Sequence, residues 1–284
     1  MDLINGAGPK TDCLELPPTG ALRELREMSR LSFELDPSVP VEWMIKRVQF
    51  FAYELAAIVD ISSSEHRRLS ALNLFFFENK KFQALLEPMH GPEPWSAFVL
   101  SHVLTARSGS TTVIALLYSI LAKHIRIPVE LVDLKPARYL RWVDNGRARY
   151  IDIARGGVTC STDELLEILH AQFQSDSLAS ANLLESYSPE SYLIEYVLEL
   201  RASLRLYGDP EKLLFLQNFL ISLQPNNFHL LGERAILHRQ IGNFKSALLD
   251  LKRYFSFFER ERAPVDLVEL HDDLVEMLEQ PLDV

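Results

Sequence analysis

Residues 109–122 read Gly109-Ser110-Thr111-Thr112-Val113-Ile114-Ala115-Leu116-Leu117-Tyr118-Ser119-Ile120-Leu121-Ala122, and their reading decides the fold. From Val113 to Ala122 only Ser119 is plainly polar. A helix that is apolar nearly all round is buried on most of its faces, so a core must be built around this one. Ser110, Thr111 and Thr112 stand just ahead of the apolar run. Hydroxyls in that position accept from the free amides of the first turn, and one of the three is expected to cap the helix. The alternative is a hydroxyl and amide cluster that holds an anion or a peptide carbonyl at the helix N-terminus.

Downstream the pattern changes to three short strand-like runs: 129–134, 137–143 and 149–153. Asp144-Asn145-Gly146-Arg147 separates the second from the third, and Asn-Gly is among the strongest hairpin-turn signals. Gly156-Gly157 is expected to end the sheet, and Ser161-Thr162-Asp163-Glu164 reads as a capping box for a further helix. Upstream, Leu22, Leu25, Met28, Leu31 and Leu35 recur at helical spacing, as do Val41, Met44, Val48, Phe51 and Leu55 behind Pro40. Ser62-Ser63-Ser64-Glu65 offers caps for a third helix, through Leu69, Leu72 and Phe76. Pro88, Gly91, Pro92 and Pro94 mark a break before a short helix ending near Arg107.

From about residue 188 the chain reads as helical again and repeats itself. Gly208 and Gly242 lie 34 residues apart, the period of a tetratricopeptide unit, and each precedes a new helix. Ala235, Gly242, Phe244, Ala247 and Asp250 fit that pattern, whereas Arg201 stands where a small residue is usual. The helix at 265–278 is expected to cap the stack. The organisation expected is a flexible N-terminus (1–20), a first domain (21–187) and a helical domain (188–284).

Composition bounds the function. Of 284 residues 48% are hydrophobic and 24% charged, enough for an ordinary globular core, and the net charge of −10 leaves no basic stripe for nucleic acid or an anionic membrane. Two cysteines, Cys13 and Cys160, are too few for a disulfide scaffold or a cysteine zinc site. The start, Met1-Asp2-Leu3-Ile4-Asn5-Gly6, carries no basic region followed by an apolar one, and the longest apolar run is far short of the ~20 residues of a span. No signal peptide, cofactor or metal site is expected, and a cytoplasmic location is.

Arg107-Ser108-Gly109-Ser110-Thr111-Thr112, then Pro136-Ala137-Arg138-Tyr139-Leu140, then Tyr150-Ile151-Asp152-Ile153, resemble the SirB regulator family of bacterial proteins. The resemblance runs over roughly residues 40–280 and takes in Leu72-Asn73-Leu74-Phe75, Gly156-Gly157 and Glu164. It implies an α+β, mainly helical chain: a transglutaminase-like (papain-like) core with a short antiparallel sheet, then a tetratricopeptide-like tail. Transglutaminase-like enzymes place a Cys at the start of the buried helix and a His and an Asp on adjacent strands. The Cys place falls on Thr111, with Ser110 and Thr112 as neighbouring alternatives, the His place on Arg138 and the Asp place on Asp152.

The chemistry follows. A threonine hydroxyl needs an adjacent base, and a guanidinium that stays protonated cannot be one. The expectation is therefore a non-catalytic protein- or peptide-binding regulator or scaffold, with Arg138 and Asp152 paired across the former active site and Arg107, Ser110 and Thr112 as cleft-binding residues. The alternatives are a divergent hydrolase or acyltransferase using a Thr or Ser hydroxyl, and an architectural module of a larger assembly. Phe75-Phe76-Phe77 and the group Phe255, Phe257 and Phe258 read as core, and His124 as a surface residue complementing the helix dipole.

Overall fold

The computed structural model describes residues 20–86, 94–134, 137–144, 146–173, 186–205 and 208–279. The segment expected to be flexible lies outside these up to residue 19, and so do Cys13, most of the Pro/Gly break and Asn145 of the hairpin turn. The chain divides into two compact units between Tyr196 and Val197, inside a helix rather than ahead of it.

The first unit opens with helices α1 (Gly20–Leu35), α2 (Val41–Ile58) and α3 (Glu65–Asn73). The expected stripes are buried: Leu25, Met28, Leu31 and Leu35 on α1, and Met44, Val48, Phe51 and Leu55 on α2. Ser64 caps α3, accepting from the Arg67 amide at 3.4 Å. The helix then widens into a π turn at Leu74–Asn79, which carries buried Phe75 and Phe76. Phe76 stacks on Phe82 with centroids 4.5 Å apart and meets Tyr118 edge-on at 5.4 Å, so the Phe75–Phe77 run belongs to the core as expected.

Two features were not anticipated. Strand β1 (Gln83–Leu85) pairs in parallel with β2 (Ser108–Ser110), which runs straight into α5 (Thr111–His124) behind the short α4 (Leu100–Ala106). Gly109 is required there, because a Cβ would lie 2.5 Å from Val103 Cγ2 and 3.0 Å from the Ala97 carbonyl. Gly156-Gly157, at φ +66° and +82°, does not end the sheet but turns the chain back into a fourth strand. The main sheet is thus an antiparallel meander of β3 (Val129–Leu134), β4 (Ala137–Asp144), β5 (Arg147–Asp152) and β6 (Val158–Ser161).

Its register assigns the faces. Tyr139 lies opposite both Val132 and Asp152, and Tyr150 opposite Cys160. Residues opposite one another share a face. Val132, Tyr139, Tyr150 and Cys160 pack with Leu165 and Leu169 of α6 (Thr162–Phe173). A reciprocal capping box opens α6: the Ser161 amide donates to Glu164 (2.7 Å) and the Glu164 amide to Ser161 Oγ (3.2 Å). Alternation sends Arg138, Leu140, Trp142 and Ile151 to the opposite face, where all four are buried, Trp142 donates to Glu65 on α3 (2.9 Å), and α5 packs.

The second unit takes the end of α7 (Pro189–Arg205), then α8 (Pro210–Leu223), α9 (His229–Gln240), α10 (Phe244–Phe255) and α11 (Val265–Glu279). Gly208 and Gly242 both adopt positive φ, at 66° and 79°, ahead of α8 and α10. Leu231, Ala235, Ala247, Leu251, Tyr254 and Leu270 form its core, with Phe255 and Phe258 packed against it. Phe257 departs from the core expectation: it is 51% exposed and stacks on Phe228.

Candidate functional site

The N-terminus of α5 is enclosed, with Ser110, Thr111 and Thr112 all buried. Ser110 is the cap, its Oγ accepting from the Val113 amide at 3.3 Å. The Thr112 hydroxyl accepts from Arg138 Nε at 3.2 Å, and its carbonyl accepts from the Tyr192 hydroxyl of α7. Among the described residues no side chain hydrogen-bonds the Thr111 hydroxyl.

Arg138 is only 2% exposed, and its Nη2 lies 3.9 Å from Glu195 Oε2, a long ion pair with a second α7 residue. The expected Arg138–Asp152 pair is not formed. Asp152 sits opposite Tyr139, so its carboxylate leaves the sheet on the α6 side while Arg138 leaves on the α5 side. There Asp152 accepts from the Arg155 amide (3.1 Å) and pairs with its guanidinium (3.6 Å). Burial first, and then the Asp152 charge, pushes the Tyr139 hydroxyl up. Burial likewise pushes the Cys160 thiol up to about 11, with Asp152 and Glu164 adding to it, so this cysteine is no thiolate near neutral pH.

Arg107 does not join Arg138 and Thr112 either. It terminates α4 in the left-handed region, φ 61°, and its guanidinium lies over the rings of Phe51 (4.6 Å) and Phe82 (4.9 Å). His124 is half-buried rather than a surface residue, and burial lowers its pKa, the opposite of what a helix C-terminus does. Among the described residues no three His, Cys, Asp or Glu side chains gather closely enough to hold a metal ion.

Of the residues singled out in the sequence, the structure therefore brings together Ser110, Thr111, Thr112 and Arg138. Tyr192 and Glu195 complete the site and were missed. They sit about 80 residues beyond Thr112, on a helix whose sequence shows only amphipathic spacing. Asn73 was part of the resemblance without a role. Its amide donates to the Gly157 carbonyl (2.9 Å) and its Oδ1 accepts from the Tyr118 hydroxyl (2.6 Å), which ties α3, the β5–β6 turn and α5 together.

No curated protein matches this chain. Comparison with known families matches residues 42–197 to the transglutaminase-like superfamily. That span runs from α2 to the middle of α7, more than half of the chain, and includes the buried helix, the sheet and both α7 residues of the site. The chain therefore belongs to the transglutaminase-like superfamily.

Proposed function

We propose that this protein is a non-catalytic member of its superfamily, of SirB type, acting as a protein- or peptide-binding regulator. The observation that carries the reading is the contact of Arg138 Nε with Thr112 Oγ1 at the N-terminus of α5. The Thr112 hydroxyl, one of three in the nucleophile region, accepts from a guanidinium, which cannot take its proton. The Ser110 hydroxyl is occupied as a helix cap.

The second unit supports the binding half of the reading. Two glycines at positive φ, 34 residues apart, each sit in the turn between two helices, as in tetratricopeptide repeats, whose common use is partner binding. A cavity of about 390 Å³ in that unit is lined by Arg201, Arg205, Leu213, Glu233, Ile236 and Gln240. Net charge −10 and only two cysteines favour a cytoplasmic setting, and no helix among the described residues is long and apolar enough to cross a membrane.

The test pairs two measurements. Wild type, Thr111→Ala and Thr112→Ala are assayed for amide and ester hydrolysis and for acyl transfer to amines. Partner capture from host extract is then compared for wild type, Arg138→Met and a chain ending at residue 196. No turnover, with a partner lost on truncation or on Arg138→Met, is the expected result. Turnover abolished by Thr111→Ala would overturn it in favour of a hydroxyl-dependent hydrolase or acyltransferase.

A further inference from the structure

We propose that Arg47, Lys80 and Arg107 form a binding site for a phosphoryl dianion, either free phosphate or a phosphomonoester, separate from the Thr112–Arg138 pair. The three cations converge on one ring. The guanidinium carbons of Arg47 and Arg107 lie 4.9 and 4.6 Å from the centroid of buried Phe51, and Lys80 Nζ lies 5.7 Å from it. Phe82 supports Arg107 at 4.9 Å and Phe75 supports Lys80 at 5.0 Å. Ring faces attract cations, but they neutralise no charge and accept no strong hydrogen bond.

The local charge does not balance. Glu54 is the one carboxylate that reaches the cluster among the described residues, and it binds Lys80 at 2.8 Å. Among the described residues none lies within ion-pair distance of Arg47 or Arg107. Arg47 Nε and Arg107 Nη1 are both buried without a hydrogen-bond partner, and so is Glu54 Oε2, which leaves two unmatched donors against one unmatched acceptor. Buried guanidinium donors are normally matched by two acceptor oxygens, since leaving them unmatched is costly. Two such donors beside one ring can be matched by the oxygens of a bound anion.

The backbone holds this arrangement in place. Arg107 is kept at φ 61°, a costly conformation for a residue other than glycine, by the hydrogen bond its amide donates to the Val103 carbonyl (2.9 Å) and by the one its own carbonyl accepts from the Gln83 amide (2.8 Å). Burial first, and then the nearby Arg47 charge, lower the Arg107 pKa, and the Glu54 charge offsets only part of that. Solvent reaches the cluster, since the Lys80 side chain is 22% exposed and neighbouring Phe50 is 50% exposed.

The ligand class follows from charge and geometry. With Lys80 answered by Glu54, two positive charges are left. A phosphoryl group carries about −1.5 to −2 at neutral pH and offers three acceptor oxygens to the two planar forks. A monocarboxylate would leave one charge unmatched.

The experiment is calorimetric titration of the full chain with inorganic phosphate, phenyl phosphate and acetate at constant ionic strength. It is repeated on Arg47→Gln and Arg107→Lys, with near-UV circular dichroism to verify folding. The expected result is saturable phosphate binding that weakens about tenfold or more in Arg47→Gln, a loss of about 1.4 kcal/mol, with acetate not binding. Arg107→Lys keeps the charge but loses the fork and is expected to weaken binding as well. Phenyl phosphate binding about tenfold tighter than phosphate assigns a monoester, and equal affinities assign the free ion. Absence of saturable binding by wild type up to about 10 mM, retention of full affinity in a folded Arg47→Gln, or equal binding of acetate overturns the proposal.

Discussion

Tyr139 and Asp152 stand directly opposite one another on β4 and β5, and that pairing turns Arg138 away from Asp152 onto the face packed by α5. A shift of the register by one residue would have joined Arg138 to Asp152, because strand side chains alternate with period two. The site is therefore a guanidinium held by a threonine hydroxyl and, more loosely, by Glu195.

A double-mutant cycle reads this directly. Arg138→Met combined with Thr112→Val is expected to show coupling of about 1 kcal/mol in urea unfolding, since the two share a buried, charge-assisted hydrogen bond. Arg138→Met combined with Asp152→Asn is expected to be additive within about 0.5 kcal/mol. Coupling in the second cycle and none in the first would mean the faces are assigned the wrong way round.

Asn73 should be a strong stability position although it lies in a helix end only half-buried. Asn73→Ala removes the partner of both the Tyr118 hydroxyl and the Gly157 carbonyl and is expected to cost about 2 kcal/mol. Gly157→Ala should be at least as harmful. Its φ of +82° is strained for alanine, and the added Cβ would lie 2.3 Å from Asn73 Oδ1. Chemical denaturation of both variants tests the pair, and a near-neutral Asn73→Ala would rule the tie out.

Acid sensitivity should come partly from two histidines. Burial lowers the pKa of His124 and of His238 below the ordinary 6.5. The unfolded chain therefore binds more protons than the folded one below that value. Their contribution to stability is present above pH 6.5 and is lost as pH falls from there through the folded values. Melting temperatures across about pH 8 to 5 should fall on the acid side. His124→Gln should flatten the fall, and an unchanged slope would remove His124 from the account.

Restoring the small residue that the repeat pattern expects at position 201 should not stabilise the second unit. Arg201 is built into it, donating to both Gln217 and Glu233. Gln217 is fully buried and also holds the Leu230 carbonyl at 2.8 Å. Arg201→Ala is expected to cost about 1–2 kcal/mol in thermal or urea unfolding, because it strands those partners. A more stable variant would show that the network adds nothing.

Much of the first unit was legible because local chemistry and packing agree there. The apolar run after Ser110 can only be a buried helix, and every residue from Thr111 to Ala122 is buried. The Ser161–Glu164 capping box is likewise a local signal, and in the second unit Gly208 and Gly242 each mark a turn ahead of a helix. Gly156-Gly157 misled because a glycine pair signals a turn without saying whether another strand follows, and β6 is only four residues long.

What the sequence by itself determined is which elements form and which residues can be buried, since capping, turn chemistry and hydrophobic period act within a few residues. What only the tertiary structure decided is which polar groups meet. Arg138 found Thr112 and Glu195 rather than Asp152, and Arg107 joined Arg47 on Phe51 rather than the cleft. The physical reason is that such meetings depend on strand register and on helices far apart in the chain, and a single residue of register reverses the face to which every side chain of a strand points.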